Sequence, residues 1–310
     1  MGIAETFEAL RPTLFSLAYR MLGSVSEAED IVQEAFLRQQ RALSQGTEID
    51  SPKAYLSAVV TRLSIDHLRS ARVRREVYVG EWLPEPLLTD KSAGLDPAIY
   101  AERAESLSLA FLVLLERLNP VERAVFLLHD VFSFGYDEIA KTVDKSEDNC
   151  RQLAARARRQ IEKGKPRFDA SRQERDRLAA RFFAAVSEGD VNALVEMLAA
   201  DVAVYGDGGG KSPSWPHPIF GRDRVSRLLG GIAGQLVSYG LTITLHEVNG
   251  QPGATIVDAE SRIVNVFSLD IVDGVVQTIR SVVNPDKLRH LGPIADLAGL
   301  IRQHRTAPQR

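Results

Sequence analysis

The chain has little cysteine and no long apolar segment. Among its 310 residues Cys150 is the only cysteine, which excludes an intramolecular disulfide. A lone cysteine on an apolar helix face is typical of a small core residue rather than a redox or metal site. No apolar run is long enough to span a bilayer, and the amino terminus lacks a signal-peptide pattern. We expect a cytoplasmic protein with no membrane, metal or cofactor binding.

The chain also lacks a strong net charge. Its formal charge at pH 7 is −3, which excludes a uniformly basic surface for nucleic acid. The basic residues are clustered instead: four arginines lie between Arg69 and Arg75 without an acid. Seven basic residues and one acid lie between Arg151 and Arg167. Basic clusters in a mildly acidic chain indicate localised nucleic-acid binding, and the length predicts two or three domains.

The segment Tyr136–Arg159 has the most informative pattern. It predicts two short helices joined by a tight turn, with Ser146 as the N-cap of the second. One side of the second helix is apolar: Cys150, Leu153, Ala154, Ala157 and Ile161. The other side is polar or basic: Arg151, Gln152, Arg156, Arg158 and Arg159. This is the helix-turn-helix pattern that enters the major groove of DNA, although a helical hairpin with a solvated basic face has the same pattern.

Two helices near the amino terminus carry further candidate surfaces. The helix around residues 28–37 places Leu37 among carboxylates and an amide, opposite its apolar stripe. That arrangement fits either a partner surface or a single exposed leucine, which is common. The next helix, from Pro52 to about Glu76, gathers arginines with Asp66 and His67. Arginine suits phosphate contacts, and the other two can reach base edges, although a lone histidine is more often structural or solvated.

Beyond these helices the pattern changes twice. Residues 78–104 are rich in proline and glycine and predict a linker, in which the apolar run Trp82–Leu87 is expected to dock somewhere. After Leu178, amphipathic helices precede alternating strands, and Asp273-Gly274 predicts a hairpin turn. Helices followed by an antiparallel sheet indicate an α+β domain.

Four stretches together resemble a known family: AEDIVQEAFLR, YLSAVVTRLSIDHLRSARVRRE, LNPVERAVFLLHDVFSFGYDEIA and KSEDNCRQLAARARR. In this order they are similar to the second and fourth regions of bacterial extracytoplasmic-function sigma factors, over about residues 5–165. WLPEP, DGGGK and NPDKL resemble signatures of the subgroup with a fused SnoaL-like carboxyl-terminal domain. Glycines in such a loop let the backbone approach another segment closely.

The resemblance implies a multidomain fold: two all-α DNA-binding domains, the second a helix-turn-helix, followed by an α+β SnoaL/NTF2-like cone. The implied boundaries are region 2 at 1–77, the linker at 78–104, region 4 at 105–167, the SnoaL-like domain at 172–290 and a tail at 291–310. The implied function is a non-enzymatic transcription initiation factor, modulated by its own carboxyl-terminal domain. Its implied partners are core RNA polymerase, through the clamp helices of the largest subunit and the flap, and promoter DNA. We expect a monomer when the protein is free.

The resemblance also implies roles for individual residues. Polymerase binding falls on Asp30, Gln33, Glu34 and Leu37. Reading of the −10 element falls on Lys53, Arg62, Asp66, His67, Arg69, Arg72, Arg74 and Arg75. Reading of the −35 element falls on Ser146, Asn149, Arg151, Gln152, Arg156, Arg158 and Arg159, although Arg151 and Leu153 depart from the commoner family pattern. Interdomain regulation falls on Trp82, Leu83, Pro84, Asp207, Gly208, Gly209, Gly210, Lys211, Asn284, Pro285, Asp286 and Lys287.

Two other functions stay open. The first is a free-standing helix-turn-helix repressor, which needs a dimer and a palindromic site and leaves the face around Asp30 unexplained. The second is an enzyme or sensor acting on a small ligand in the carboxyl-terminal pocket. Candidate residues for proton transfer there are Tyr205, Asp207, Trp215, His217 and Asp258.

Overall fold

The computed structural model describes residues 3–75, 78–90, 104–164 and 171–306. The chain divides into two compact units. The first combines residues 1–77, 96–107 and 111–165, and the second combines residues 78–95, 108–110 and 166–310. The described part of the linker that begins at Tyr78, residues 78–90, therefore belongs to the second unit. None of the described helices has an apolar stretch long enough to cross a membrane.

The amino-terminal part is all-α, as predicted. Its helices are α1 Ile3–Leu22, α2 Val25–Ser44, α3 Pro52–Arg75, α4 Leu109–Leu115, α5 Pro120–Phe126, α6 Tyr136–Val143 and α7 Glu147–Glu162. A π-helical turn, Leu127–Val131, continues α5. Side chains cap the helix starts: Ser24 accepts from the Glu27 amide, and Asn119 forms a capping box with Glu122.

Buried arginines connect the early helices of the first unit to the later ones. Arg123 is 2% exposed; its Nη1 donates to the Met21 carbonyl at 2.6 Å and pairs with Glu116 at 2.7 Å. Burial lowers the pKa of the Arg123 guanidinium, because desolvation disfavours its charge. Arg20 Nε donates to the Ser106 carbonyl at 3.1 Å. These bonds satisfy carbonyl groups that would otherwise lack a partner in the interior.

The second unit is α+β, as predicted. Its helices are α8 Arg172–Glu188, α9 Val191–Met197, α10 Arg222–Tyr239 and α11 Leu297–Thr306. Its strands are β1 Leu198–Asp207, β2 Ile219–Phe220, β3 Thr242–Val248, β4 Gln251–Val257, β5 Ile263–Val272 and β6 Val275–Val282. They form one sheet in the order β2-β1-β6-β5-β4-β3. Side chains from helices and sheet share one core, which includes Phe182, Phe183, Leu229 and Phe267.

The prediction of an antiparallel sheet is wrong at one pairing. Strand β1 runs parallel to β6, while the other pairs are antiparallel. Strands joined by a tight turn must be antiparallel, but β1 and β6 are separated by a long stretch of chain that permits either direction. The predicted hairpin turn is confirmed: Asp273 and Gly274 have φ values of 50° and 74° between the paired residues Val272 and Val275.

Both ends of the second unit contain more structure than the sequence pattern indicated. Helix α8 begins at Arg172 rather than near Leu178, because Ser171 and Glu174 form a capping box ahead of it. Near the carboxyl end, α11 lies in the segment expected to be a tail, and its Leu297 and Leu300 pack against the core.

Candidate functional site

The face of α2 that the sequence singled out is accessible. Asp30 and Gln33 are exposed, and Glu34 is half-buried and pairs with Arg38 at 2.8 Å. The hydrogen bond from Arg38 lowers the pKa of the Glu34 carboxyl. Leu37 is 38% exposed, although it is a large apolar side chain. The opposite face of α2 is buried, so these four side chains form an acidic surface with one apolar residue, which we call the α2 face.

Helix α3 presents its proposed DNA-reading residues in different environments. Arg62 donates to the carbonyls of Thr142 and Lys141, at 2.9 and 2.7 Å, at the end of α6. These bonds engage the Nε and Nη2 atoms of an exposed guanidinium. His67 Nε2 lies 3.0 Å from the Glu27 carboxylate.

The remaining candidates on α3 are more accessible. Asp66 and Arg69 are exposed and form an ion pair at 3.4 Å. Exposed Lys53 lies over the Phe134 ring, at 5.8 Å from its centroid. The side chains of Arg72, Arg74 and Arg75 lie outside the described residues. Exposed lysine and arginine side chains such as Lys53 and Arg69 can contact phosphates.

The helix-turn-helix is formed by α6 and α7. Asp144 ends α6 in the left-handed region, with a φ of 53°. Ser146 caps α7 by accepting from the Asn149 amide at 3.2 Å. Four of the five predicted apolar positions are buried, Cys150 among them, and Leu153 is half-buried. Burial also raises the pKa of the Cys150 thiol, which suits a core residue.

The arginines of α7 differ in their availability for DNA. Arg158 donates to Asp130 at 2.7 Å and lies 3.1 Å from His129 Nδ1, and the bond to Asp130 raises the pKa of its guanidinium. Arg151 pairs with Glu147 and Asp148, its neighbours on the same helix. Arg156 is exposed and has no hydrogen bond or ion pair among the described residues. Asn149 and Gln152 are likewise exposed, and Arg159 donates to the carbonyl of Ala155.

A buried carboxylate in the second unit holds the linker. Asp207, fully buried at the end of β1, accepts from the Leu83 amide at 2.8 Å and from the Tyr78 hydroxyl. The Lys287 ammonium lies 2.6 Å from the same carboxylate and also donates to the Leu83 carbonyl. Its charge faces the Trp82 ring at 4.3 Å from the centroid. We call these five residues the linker latch.

The latch joins residues from all three predicted regulatory motifs. Burial, followed by the hydrogen bond to Asp207, raises the pKa of the Tyr78 phenol, so this side chain stays a neutral donor. Asn284 Nδ2 lies 2.9 Å from the Tyr78 oxygen. Lys211 pairs with Asp286 at the surface. Pro285 begins the short helical turn that carries Asp286 and Lys287.

The glycine loop lies directly against the linker. Gly209 and Gly210 have φ values of 57° and 68°, which favour glycine. A Cβ at Gly209 would overlap the Asn284 amide and lie 3.0 Å from the Tyr78 oxygen. A Cβ at Gly210 would lie 3.2 Å from Val79. The glycines are therefore needed for close approach of this loop to the linker.

A second anchor of the linker was not predicted from the sequence. Leu87 donates its amide to Asn249 Oδ1, and its carbonyl accepts from the Asn249 amide, both at 2.8 Å. The Thr89 amide donates to the Glu247 carbonyl at 2.7 Å. Asn249-Gly250 could have been recognised as a turn, but nothing in the sequence pairs it with residues 160 positions earlier. We call this pair of contacts the turn anchor.

The residues considered for proton transfer do not converge. Asp207 is occupied by the latch, and Asp258 pairs with Arg262 at 2.7 Å in the turn before β5. His217 is exposed, and Tyr205 packs edge-on against Phe220. Trp215 lines a cavity that none of the other four residues lines.

Comparison with known proteins agrees with this geometry. Residues 6–74 match Sigma-70 region 2, and residues 108–161 match Sigma-70 region 4. The ECF RNA polymerase sigma factor SigJ of Mycobacterium tuberculosis is 40% identical over 301 residues, covering 93% of each protein. The probable ECF RNA polymerase sigma factor SigI of the same organism is 34% identical, covering 96% of this chain and 98% of the relative.

The likeness extends to three dimensions and includes the carboxyl-terminal unit. The crystal structure of M. tuberculosis SigJ matches with a TM-score of 0.72 and 36% identity, and the match covers 92% of this chain and 98% of SigJ. Both sigma regions and the α+β unit thus occur together, in the same order, in a relative of similar length. The chain belongs to the extracytoplasmic-function sigma factors of RNA polymerase, and its function is transcription initiation.

Proposed function

We propose that the α2 face binds the clamp helices of the polymerase largest subunit, that α3 reads the −10 element, and that α7 reads the −35 element. The second unit modulates this activity by holding the linker between the two readers. The protein acts in the cytoplasm, where its polymerase is found, and is a monomer when free. The observation that carries the modulation is the linker latch, in which one buried ion pair holds both the amide and the carbonyl of Leu83.

The latch supports regulation for a physical reason. The linker connects the two DNA-reading parts of the chain, so binding part of it restricts the paths that the rest can take. Two separate anchors hold it: the latch near residue 83 and the turn anchor near residue 87. Removing one partner of a buried ion pair leaves the other charge uncompensated, so the latch strongly favours the conformation in which the pair is formed. These contacts are therefore expected to hold residues 78–90 of the linker in one conformation.

Removal of the second unit tests this modulation. We expect deletion of the residues after Lys165 to change runoff transcription by core polymerase by at least about fivefold, since a coupling of roughly 1 kcal/mol is typical of regulation between sites. Asp207→Ala in the full-length protein should shift activity in the same direction, because it releases the linker at the latch. Val237→Ala is the control, because Val237 is exposed on α10 and belongs neither to the latch nor to the turn anchor.

Two outcomes of this experiment are decisive. Transcription and polymerase affinity that are unchanged by the deletion would contradict regulation by the second unit. A changed activity after deletion with an unchanged activity for Asp207→Ala would retain regulation but exclude the latch as its means.

The different environments of Arg156 and Arg158 on α7 give a separate prediction for recognition of the −35 element. Arg156→Ala should reduce transcription from a promoter with a −35 element about tenfold, since one base or phosphate contact contributes about 1–3 kcal/mol. Thermal stability should not change, because Arg156 has no partner among the described residues. Arg158→Ala is the matched comparison: it breaks the Asp130 contact and should lower the melting temperature of the first unit.

The promoter itself supplies the control. With the −35 element scrambled, Arg156→Ala and the unmodified protein should transcribe equally. If the tenfold loss persisted on the scrambled promoter, Arg156 would act elsewhere than at the −35 element.

A further inference from the structure

A cavity of about 510 Å³ lies within the second unit and has no assigned role. Its wall is formed by α10, α11, strands β4 to β6 and the loop that carries Trp215. The volume falls within the range of about 300–1,000 Å³ found for small-molecule sites. None of the five latch residues lines it, so it is distinct from the linker site. Most of its lining is apolar, including Ile232, Leu236 and Phe267.

Two buried polar side chains lie in this apolar lining. Asn265 on β5 and Ser281 on β6 are 7% and 2% exposed, and Asn265 Nδ2 lies 3.0 Å from Ser281 Oγ. Their mutual bonds are the only side-chain hydrogen bonds found for either residue among the described residues. An amide has two donors and at least two acceptor positions, so Asn265 can form hydrogen bonds with a ligand in addition to those with Ser281.

The charge of the lining restricts the ligand. Among the described residues that line the cavity there is no aspartate, glutamate or histidine. Arg227 contributes the one charge in this set, but it is exposed and its Nε donates to the Asp223 carbonyl at 2.9 Å. A charged ligand would lose its hydration on entering this apolar site, and the described lining residues offer no buried charge to compensate for that loss. The lining also offers no carboxylate or imidazole for proton transfer, which favours binding without turnover.

We propose that this cavity binds an uncharged, mostly apolar small molecule whose polar group hydrogen-bonds to Asn265 and Ser281. The apolar walls supply most of the affinity through burial of the ligand surface. The Asn265 and Ser281 pair selects for a ligand that can donate or accept a hydrogen bond at that point. Both contributions come from the second unit alone.

A glycine in the cavity wall allows a direct test. Gly231 on α10 lines the cavity, and a Cβ placed there meets no atom within 4 Å. Gly231→Leu should therefore place a side chain at the cavity wall with free space for its Cβ, and it also raises helix propensity. Gly234→Leu is the matched control, because Gly234 lies on the same helix, has the same free space and is not among the cavity-lining residues.

The probe is N-phenyl-1-naphthylamine, a neutral apolar fluorophore with one N–H donor, titrated into the full-length protein. We expect saturable binding to one site, weakened at least about tenfold by Gly231→Leu, which corresponds to about 1.4 kcal/mol, and unchanged by Gly234→Leu. The double variant Asn265→Leu/Ser281→Ala, which leaves neither partner unpaired, should weaken binding about fivefold. Urea unfolding followed by tryptophan fluorescence verifies that each variant is folded.

The charge requirement is tested with 1-anilinonaphthalene-8-sulfonate, which carries a sulfonate on a similar aromatic frame. We expect it to bind at least about tenfold more weakly than the neutral probe, because of the cost of desolvating its charge. Three results would overturn the proposal: no saturable binding of the neutral probe, equal binding to the folded Gly231→Leu variant, or tighter binding of the sulfonate.

Discussion

The double variant Asp30→Ala/Leu37→Ala is expected to bind core RNA polymerase at least about 100-fold more weakly than the unmodified protein. Truncation of an interface hot spot costs about 2 kcal/mol or more, and 100-fold corresponds to about 2.7 kcal/mol. Both side chains are exposed on the α2 face, so they contribute little to the fold. A binding titration of labelled sigma factor with core enzyme measures the effect.

The control for this variant is another exposed apolar side chain. Val237 on α10 is 81% exposed in the second unit, and Val237→Ala should leave the affinity for core enzyme unchanged. The melting temperature of the Asp30→Ala/Leu37→Ala variant should equal that of the unmodified protein. If affinity stayed within twofold, the polymerase contact would lie elsewhere on the first unit.

The second large effect is expected from Asp207→Ala, which should destabilise the second unit by about 3–5 kcal/mol. Removing one member of a buried ion pair leaves the other charge without compensation, here the Lys287 ammonium. The Leu83 amide loses its acceptor in the same variant. The two tryptophans of the chain, Trp82 and Trp215, both lie in the second unit, so urea unfolding followed by tryptophan fluorescence reports on that unit.

Two further variants separate the ion pair from other effects. Lys211→Ala should cost no more than about 1 kcal/mol, because its pair with Asp286 is exposed. In the double variant Asp207→Asn/Lys287→Met no charge is left unpaired, so the loss should be smaller than for Asp207→Ala. Equal losses for Asp207→Ala and Lys211→Ala would show that burial of the ion pair is unimportant.

Local patterns predicted much of the first unit. The α6–α7 hairpin, the Ser146 cap and the buried side of α7 follow from periodicity and capping, which depend on neighbours within four residues. The α2 face was identified in the same way, because Leu37 stood out among polar residues. Its role in polymerase binding, like the DNA contacts of α3 and α7, stays a prediction.

Helical periodicity could not show which arginines of α7 are bound by other residues of the protein and which are available to DNA. Arg156 and Arg158 both fall on the polar side by angle, yet only Arg158 is bound to Asp130, 28 residues earlier. A periodicity argument contains no information about a contact at that separation. Likewise the turn anchor joins Leu87 to Asn249, and the parallel pairing of β1 with β6 joins residues about 75 positions apart.

The sequence by itself determined the helical character of the first unit, the α+β class of the second, and the motifs by which the family is recognised. These features depend on local propensity, hydrophobic period and short signatures. Only the tertiary structure decided that Asp207, Lys287 and Tyr78 meet around Leu83, that Arg62 holds the end of α6, and that Asn265 and Ser281 share a cavity. The reason is that burial and partnership arise from long-range packing, which brings together side chains whose separation in the chain no local pattern encodes.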